Sequence, residues 1–122
     1  MKVAGVGFRA EASVASLRAA LAAAGGAEGV TALATSAAKA RTPVMVAFGA
    51  ELGLPIIGVS AADLAAQVTL TESARVRAKT GAGSLAEAAA LAVIGSNARL
   101  LASRAVSGDN MATAAIAVEV AQ

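Results

Sequence analysis

Apolar and polar residues alternate along the chain in a pattern that predicts strands and helices in turn. Residues Lys2–Phe8 form an apolar, β-prone run that predicts a buried first strand. Ser13 is a suitable N-cap for the next element, in which Leu17 and Leu21 recur at helical spacing before the glycine pair at 25–26. A helix is therefore expected between the first strand and this glycine pair.

The same pattern continues through the middle of the chain. A second strand is predicted over residues 30–35, followed by a loop or the start of a helix over 36–41. Thr42 and Pro43 match an N-cap followed by a first-turn proline, which predicts a helix that ends before Gly53.

A third strand is predicted over residues 54–59. Ser60 and Asp63 then resemble a capping box for a short helix that runs through Gln67. Residues 68–80 fit either a helical turn or a strand, and the sequence leaves both possibilities open.

The strongest local signal is a glycine-rich turn ahead of an alanine-rich helix. Gly81 and Gly83 form the turn, and Ser84 with Glu87 has the spacing of a capping box. The helix is expected to end at Gly95.

Two β-prone runs close the chain, over residues 99–106 and 111–120, and the polar residues 107–110 between them predict a hairpin turn. Together these elements predict an α/β fold. We expect a single domain over residues 1–122, built as a three-layer sandwich with a mixed central sheet, helices on both faces and a C-terminal antiparallel hairpin.

The composition indicates how the core is built and excludes several functions. Alanine accounts for 37 of the 122 residues, so backbones can approach one another closely. The chain has no Cys, His, Trp or Tyr, which excludes disulfides, thiolate nucleophiles, Ser-His-Asp triads and imidazole metal ligands. A net charge of +2 and only two phenylalanines argue against nucleic-acid binding.

The same sequence argues against a membrane protein. No uncharged apolar stretch reaches the roughly 18 residues that a membrane span needs, and Arg9 interrupts the apolar N-terminal run. We therefore expect a soluble, cytoplasmic protein without a metal, a cofactor or a membrane partner.

The first candidate site is the exit of the first strand. Gly5 and Gly7 would let a ligand touch the backbone there, and Arg9 is suited to hold an anion. The alternative is a tight strand exit with a solvated arginine. The dinucleotide fingerprint is incomplete: Ala10 is a tolerated replacement for its third glycine, but no acidic residue ends a second strand about 20 residues further on.

The second candidate site is the helix start at Gly81, Gly83 and Ser84, where backbone N–H groups and the helix dipole favour a carboxylate or phosphate. It is not a Walker A loop, since no Gly-Lys-Ser/Thr closes it. The alternative is that Ser84 and Glu87 only cap the helix. Glu87 is a weak candidate for a general base, because a capping glutamate is already bonded to backbone N–H groups.

Several short motifs resemble, in their order and spacing, those of a known family. They are Gly-Val-Gly-Phe-Arg at 5–9, Leu-Ala-Thr-x-x-x-Lys at 33–39, Gly-Leu-Pro-Ile-Ile at 53–57, Ser-Ala-Arg-Val at 73–76, Thr-Gly-x-Gly-Ser-Leu-Ala-Glu-Ala-Ala-Ala-Leu at 80–91, and Asn-Met-Ala-Thr-Ala-Ala-Ile-Ala at 110–117. Over nearly the whole chain, the sequence resembles the CobE family of cobalamin biosynthesis proteins, which is homologous to the C-terminal domain of CbiG.

The resemblance implies a role in building the corrin ring of vitamin B12, a tetrapyrrole. CbiG is associated with opening a δ-lactone on a cobalt-precorrin and losing a two-carbon fragment, an activity that involves an N-terminal region outside this sequence. The chain departs from the family pattern at Phe8, where Cys is common, and at Ala37 and Thr42, where acidic residues are common. The ligand-binding positions carried over are Gly5, Gly7, Arg9, Lys39, Ser73, Gly81, Gly83 and Ser84.

From the residues and the resemblance together, we expect a protein that binds or carries a polycarboxylate corrinoid or precorrin intermediate. Arg and Lys side chains and the helix start would hold the carboxylates of the rim, while small apolar side chains face the disc. Two alternatives stay open: a small enzyme acting on a precorrin lactone with Glu87 as its base, and a docking module for another enzyme of the pathway. The apolar, alanine-rich helix faces could serve such docking, and a homo-oligomer is also left open.

Overall fold

The computed structural model describes residues 1–67 and 84–120. In these ranges the strands are β1 (Lys2–Phe8), β2 (Ala32–Ser36), β3 (Ile56–Val59), β4 (Ala98–Val106) and β5 (Ala112–Glu119). The helices are α1 (Val14–Ala23), α2 (Ala37–Ala40), α3 (Pro43–Leu52), α4 (Ala61–Ala65) and α5 (Leu85–Ile94). The predictions made for residues 68–83 lie outside the described residues.

The five strands of the described ranges form one mixed sheet in the order β3-β2-β1-β5-β4. β1, β2 and β3 are parallel, because the helices between them return the chain to the same end of the sheet before each new strand begins. β5 lies between β1 and β4 and runs antiparallel to both of them. The predicted mixed sheet and the antiparallel pair at the end of the chain are confirmed.

Apolar cores lie on both faces of this sheet. Val3 and Ala4 are neighbours in β1, yet their side chains belong to different cores, as the alternation of a strand requires. α1 and α3 cover one face, where Phe48 is fully buried, and α4 and α5 cover the other, where Leu64 is buried. The three layers that the sequence predicts are therefore present.

Helix α5 packs very close to β1, and Gly5 makes this approach possible. A Cβ atom added to Gly5 would lie 1.9 Å from the carbonyl oxygen of Ala86 and 2.9 Å from the backbone nitrogen of Ala90. Ala86, Ala89 and Ala90 are themselves fully buried. The high alanine content therefore has a structural reason, because small side chains allow the helix and the strand to lie this close.

Most of the predicted caps are present. Backbone N–H groups donate to the cap hydroxyls, Ser16 to Ser13, Asp63 to Ser60 and Glu87 to Ser84. Thr42 occupies the N-cap position before Pro43, but its hydroxyl donates to the Lys39 carbonyl oxygen at 2.7 Å. Gly53 ends α3 in the left-handed conformation, with φ at 67°.

Two strands begin later than the sequence indicates. β2 begins at Ala32, because the N–H of Val30 donates to the Ala27 carbonyl oxygen in a turn. β3 begins at Ile56, because the N–H of Leu54 still donates to the Gly49 carbonyl oxygen at the end of α3. Both differences come from local turns, which the apolar sequence of these segments does not indicate.

An aspartate fixes the turn between β4 and β5 against α1. Asp109 Oδ1 accepts hydrogen bonds from Ser107 Oγ at 2.5 Å and from the Met111 N–H at 3.0 Å. Asp109 Oδ2 accepts a hydrogen bond from Ser16 Oγ, in the first turn of α1, at 2.6 Å. These bonds, with that from Ser107 the strongest, lower the pKa of Asp109 from 3.8 to about 2.

The hydrogen bonds of Asp109 predict a contribution to stability that depends on pH in the acidic range. The pKa of Asp109 is lower in the folded state, so its carboxylate stabilises the fold fully above pH 3.8. This stabilisation is lost as the pH falls through about 2. We expect the free energy of unfolding of Asp109→Asn to depend less on pH in this window than that of the wild type. Urea unfolding across the window measures this, and identical pH profiles would contradict the assignment.

Candidate ligand-binding cavity

A cavity of about 890 Å³ lies at the carboxyl ends of β1 and β2. Its volume is near the upper end of the usual range for small-molecule sites, about 300–1,000 Å³. The carboxyl ends of parallel strands are where open α/β sheets bind their ligands. The walls come from the exit of β1, α2, the starts of α3 and α5, the β4–β5 hairpin and one side chain of β4.

The exit of β1 forms one wall. The Gly7 carbonyl oxygen accepts a hydrogen bond from Thr113 Oγ1 at 3.3 Å, and a Cβ added to Gly7 would lie 2.9 Å from that hydroxyl oxygen. The Arg9 N–H donates to the Met111 carbonyl oxygen at 2.9 Å, which fixes the backbone while the Arg9 side chain stays exposed. Gly7 therefore keeps the strand exit open, and Arg9 is held at the mouth of the cavity.

A lysine and a phenylalanine meet at a second wall. Lys39 Nζ lies 5.1 Å from the centre of the Phe8 ring, within the range of a cation–π interaction. Lys39 is carried by the short helix α2, whose first turn is capped when the Lys39 N–H donates to Ser36 Oγ. The ammonium group is thus positioned from two sides, by the helix and by the ring.

The start of α5 contributes Ser84, whereas Glu87 lies behind the wall. Ser84 lines the cavity, and its Oγ accepts the Glu87 N–H at 3.4 Å. Glu87 is not among the lining residues, and its side chain is 0% exposed. Its Oε2 accepts a hydrogen bond from the Arg104 N–H of β4 at 2.9 Å. The carboxyl group thus joins α5 to the sheet.

Positive charge predominates around the cavity. Among residues 1–67 and 84–120, three cationic residues line it, Arg9, Lys39 and Arg104, against the one acidic residue Glu11. Each of the three cations comes from a different element, so the positive charge is spread around the opening. Phe8 and Met111 contribute apolar surface to the cavity.

The structure brings together several of the residues predicted from the sequence. Gly7, Arg9, Lys39 and Ser84 all line this cavity. Gly5 does not line it, because α5 covers that glycine. The predicted positions Ser73, Gly81 and Gly83 lie outside the described residues.

Arg104 is a cationic lining residue that the sequence did not single out. It lies in a β-prone run with no motif around it, and no local signal separates it from the exposed Arg99 of the same strand. Within residues 1–67 and 84–120, no three acidic side chains come together in a way that could hold a metal ion. None of the helices described in these ranges has the length and apolar character needed to cross a membrane.

The fold and the cavity define a single α/β domain with a cation-lined opening at the carboxyl ends of its parallel strands. The family model described as "Cobalamin synthesis G C-terminus" matches residues 2–117, and the chain belongs to this family.

Two solved structures are similar to this chain along its length. One is CobE, a protein from the cobalamin (vitamin B12) biosynthetic pathway, with 31% sequence identity, a TM-score of 0.85, and coverage of 100% of this chain and 92% of that one. The other is the cobalamin biosynthesis protein chiG from Agrobacterium tumefaciens str. C58, with 37% identity, a TM-score of 0.73, and coverage of 99% and 100%. No curated protein matches the chain. The resemblance stated from the motifs is confirmed, and the family is one of cobalamin biosynthesis.

Proposed function

We propose that the protein binds or carries a polycarboxylate corrinoid intermediate of cobalamin biosynthesis in the 890 Å³ cavity. The observation that carries the proposal is the spread of Arg9, Lys39 and Arg104 around one opening, each from a separate element. A single anion would need only one of these cations, whereas a ligand with carboxylates around its rim can use all three.

The chemistry of such a ligand agrees with the walls of the cavity. A corrinoid intermediate is a broad apolar disc whose rim carries several carboxylates. Arginine and lysine side chains bind carboxylates through charge-assisted hydrogen bonds, and Phe8, Leu85 and Met111 provide apolar surface for the disc. The mode of binding is therefore through the rim and the face of the ring.

A visible-absorbance titration with a late, metal-free corrinoid polycarboxylate tests the proposal directly. We expect a spectral shift that saturates at micromolar ligand, together with co-elution of protein and pigment on gel filtration. The affinity should fall as salt is added, because contacts between exposed charges are screened. Absence of both the spectral shift and co-elution would reject the proposal.

Charge reversal at the mouth of the cavity provides a sharper prediction. We expect Arg9→Glu to weaken corrinoid binding by at least about tenfold, since it removes a charge-assisted contact and adds a repulsive one. Arg99→Glu is the matched control, because Arg99 is exposed on β4 and does not line the cavity. Equal losses of affinity in the two variants would indicate a general charge effect and contradict the assignment of Arg9.

The enzymatic alternative depended on Glu87 as a general base. Its carboxyl group is fully buried, accepts the Arg104 N–H and does not line the cavity, so it is not placed to meet a ligand there. The alternative of a docking module is distinguished by the same titration: capture of another pathway enzyme by a protein that binds no corrinoid would favour docking.

A further inference from the structure

We infer that Arg104 is a carboxylate-binding residue of the cavity and that Glu87 is the positioning residue that fixes it, through a bulge in β4. The inference rests on the proposed function, because it assumes a ligand that carries carboxylates. It adds to that function the bulge and the buried carboxyl group that position Arg104, one of the three cations of the cavity.

The pairing of β4 with β5 contains the irregularity on which the inference depends. Ala102 pairs with Ile116 and Ala105 pairs with Ala114, so three steps along β4 correspond to two steps along β5. One residue of β4 is therefore extra in this interval, which is the definition of a β-bulge. Bulges redirect side chains and occur often beside functional sites.

The bulge determines the face of the sheet that Arg104 reaches. Ala102 and Ala105 are three residues apart, and in a regular strand their side chains would lie on opposite faces. Both instead pack against the core beneath α1. Arg104 lies between them and lines the cavity together with Ser84 and Leu85 from the start of α5. The irregular pairing therefore delivers a cationic side chain to the cavity.

Glu87 stabilises the bulge through a hydrogen bond from the backbone of Arg104. The Arg104 N–H lies in the interval where the β4–β5 pairing is irregular, and it donates to Glu87 Oε2 at 2.9 Å. A buried carboxyl group is costly unless it is hydrogen-bonded, and Glu87 is 0% exposed. The glutamate is thus placed where it accepts a backbone N–H of the bulge, and this bond holds the residue whose side chain enters the cavity.

The test of Arg104 uses the same metal-free corrinoid polycarboxylate in visible titrations at low and high salt. We expect Arg104→Gln to weaken binding about tenfold or more and to reduce the salt dependence of the affinity. Arg104→Lys should retain part of the affinity, because it keeps the charge but loses the planar fork of donors. Arg99→Gln, on the same strand but outside the cavity, should bind as the wild type does.

The test of Glu87 is a double-mutant cycle. If Glu87 acts through Arg104, Glu87→Ala should weaken binding in the wild-type background but cause little further loss in the Arg104→Gln background. Glu87→Gln should retain most of the wild-type affinity for the corrinoid, since its amide oxygen can still accept the Arg104 N–H. A purely structural role would instead give equal losses in both backgrounds, and that result would overturn the assignment of Glu87.

The outcomes separate this inference from the proposed function. A wild-type protein that binds no corrinoid rejects the proposed function and, with it, the role of Arg104. A wild-type protein that binds, with Arg104→Gln binding equally well or Arg99→Gln equally weakened, overturns only the inference. If Glu87→Ala does not fold, Glu87→Leu, which fills similar space but has no acceptor for the Arg104 N–H, takes its place in the cycle. A loss of affinity confined to the background that keeps Arg104 supports the coupling, and equal losses overturn it.

Discussion

Replacement of Gly5 by alanine is expected to destabilise the protein by more than about 3 kcal/mol, beyond the usual range for overpacked cores. The new Cβ would lie 1.9 Å from the Ala86 carbonyl oxygen and 2.9 Å from the Ala90 nitrogen. These are backbone atoms of α5, so no rotation of a side chain can relieve the contact. The helix would have to move away from β1, and the core built from its buried alanines would open.

A second glycine supplies the matched control for this prediction. A Cβ added to Gly108 meets no heavy atom within 4 Å, and Gly108 is not among the glycines with positive φ. Gly108→Ala should therefore change the free energy of unfolding by less than about 0.5 kcal/mol. Urea unfolding of both variants measures the difference, and a Gly5→Ala midpoint close to that of Gly108→Ala would refute the packing argument.

The elements of the fold were largely predictable because their signals are local. Ser13 and Ser84 cap helices at the positions where the sequence places them, and the glycine at 53 ends α3. The order of the strands was not predictable, because it depends on distant pairing. Nothing within Ala112–Glu119 indicates that this strand, rather than β4, lies beside β1.

The candidate site was predictable only in part, for a similar reason. Gly5 and Gly7 have the same local sequence signal, yet one lies under α5 and the other lines the cavity. The position of the helix separates them, and this position is a tertiary property. Arg104 was missed because its side chain reaches the cavity through a bulge, which exists only once β4 has paired with β5.

The second large effect is expected at Glu87. Glu87→Ala removes a fully buried side chain and leaves the Arg104 N–H without its acceptor, so we expect a loss of about 2–4 kcal/mol in the free energy of unfolding. Glu87→Gln should cost much less, since an amide oxygen fills the same space and can accept the same N–H. Glu28→Ala is the control, as Glu28 is exposed.

Hydrogen exchange shows where the loss at Glu87 originates. The Arg104 amide donates to the Glu87 carboxyl group, and this bond joins α5 to β4 in the interval where the pairing of β4 with β5 is irregular. In Glu87→Ala this amide should exchange faster than in the wild type, by a larger factor than the amides of β1. An Arg104 amide that stays as protected as before would mean that the bulge is held by its neighbours in the sheet. The glutamate would then stabilise only the helix to which it belongs.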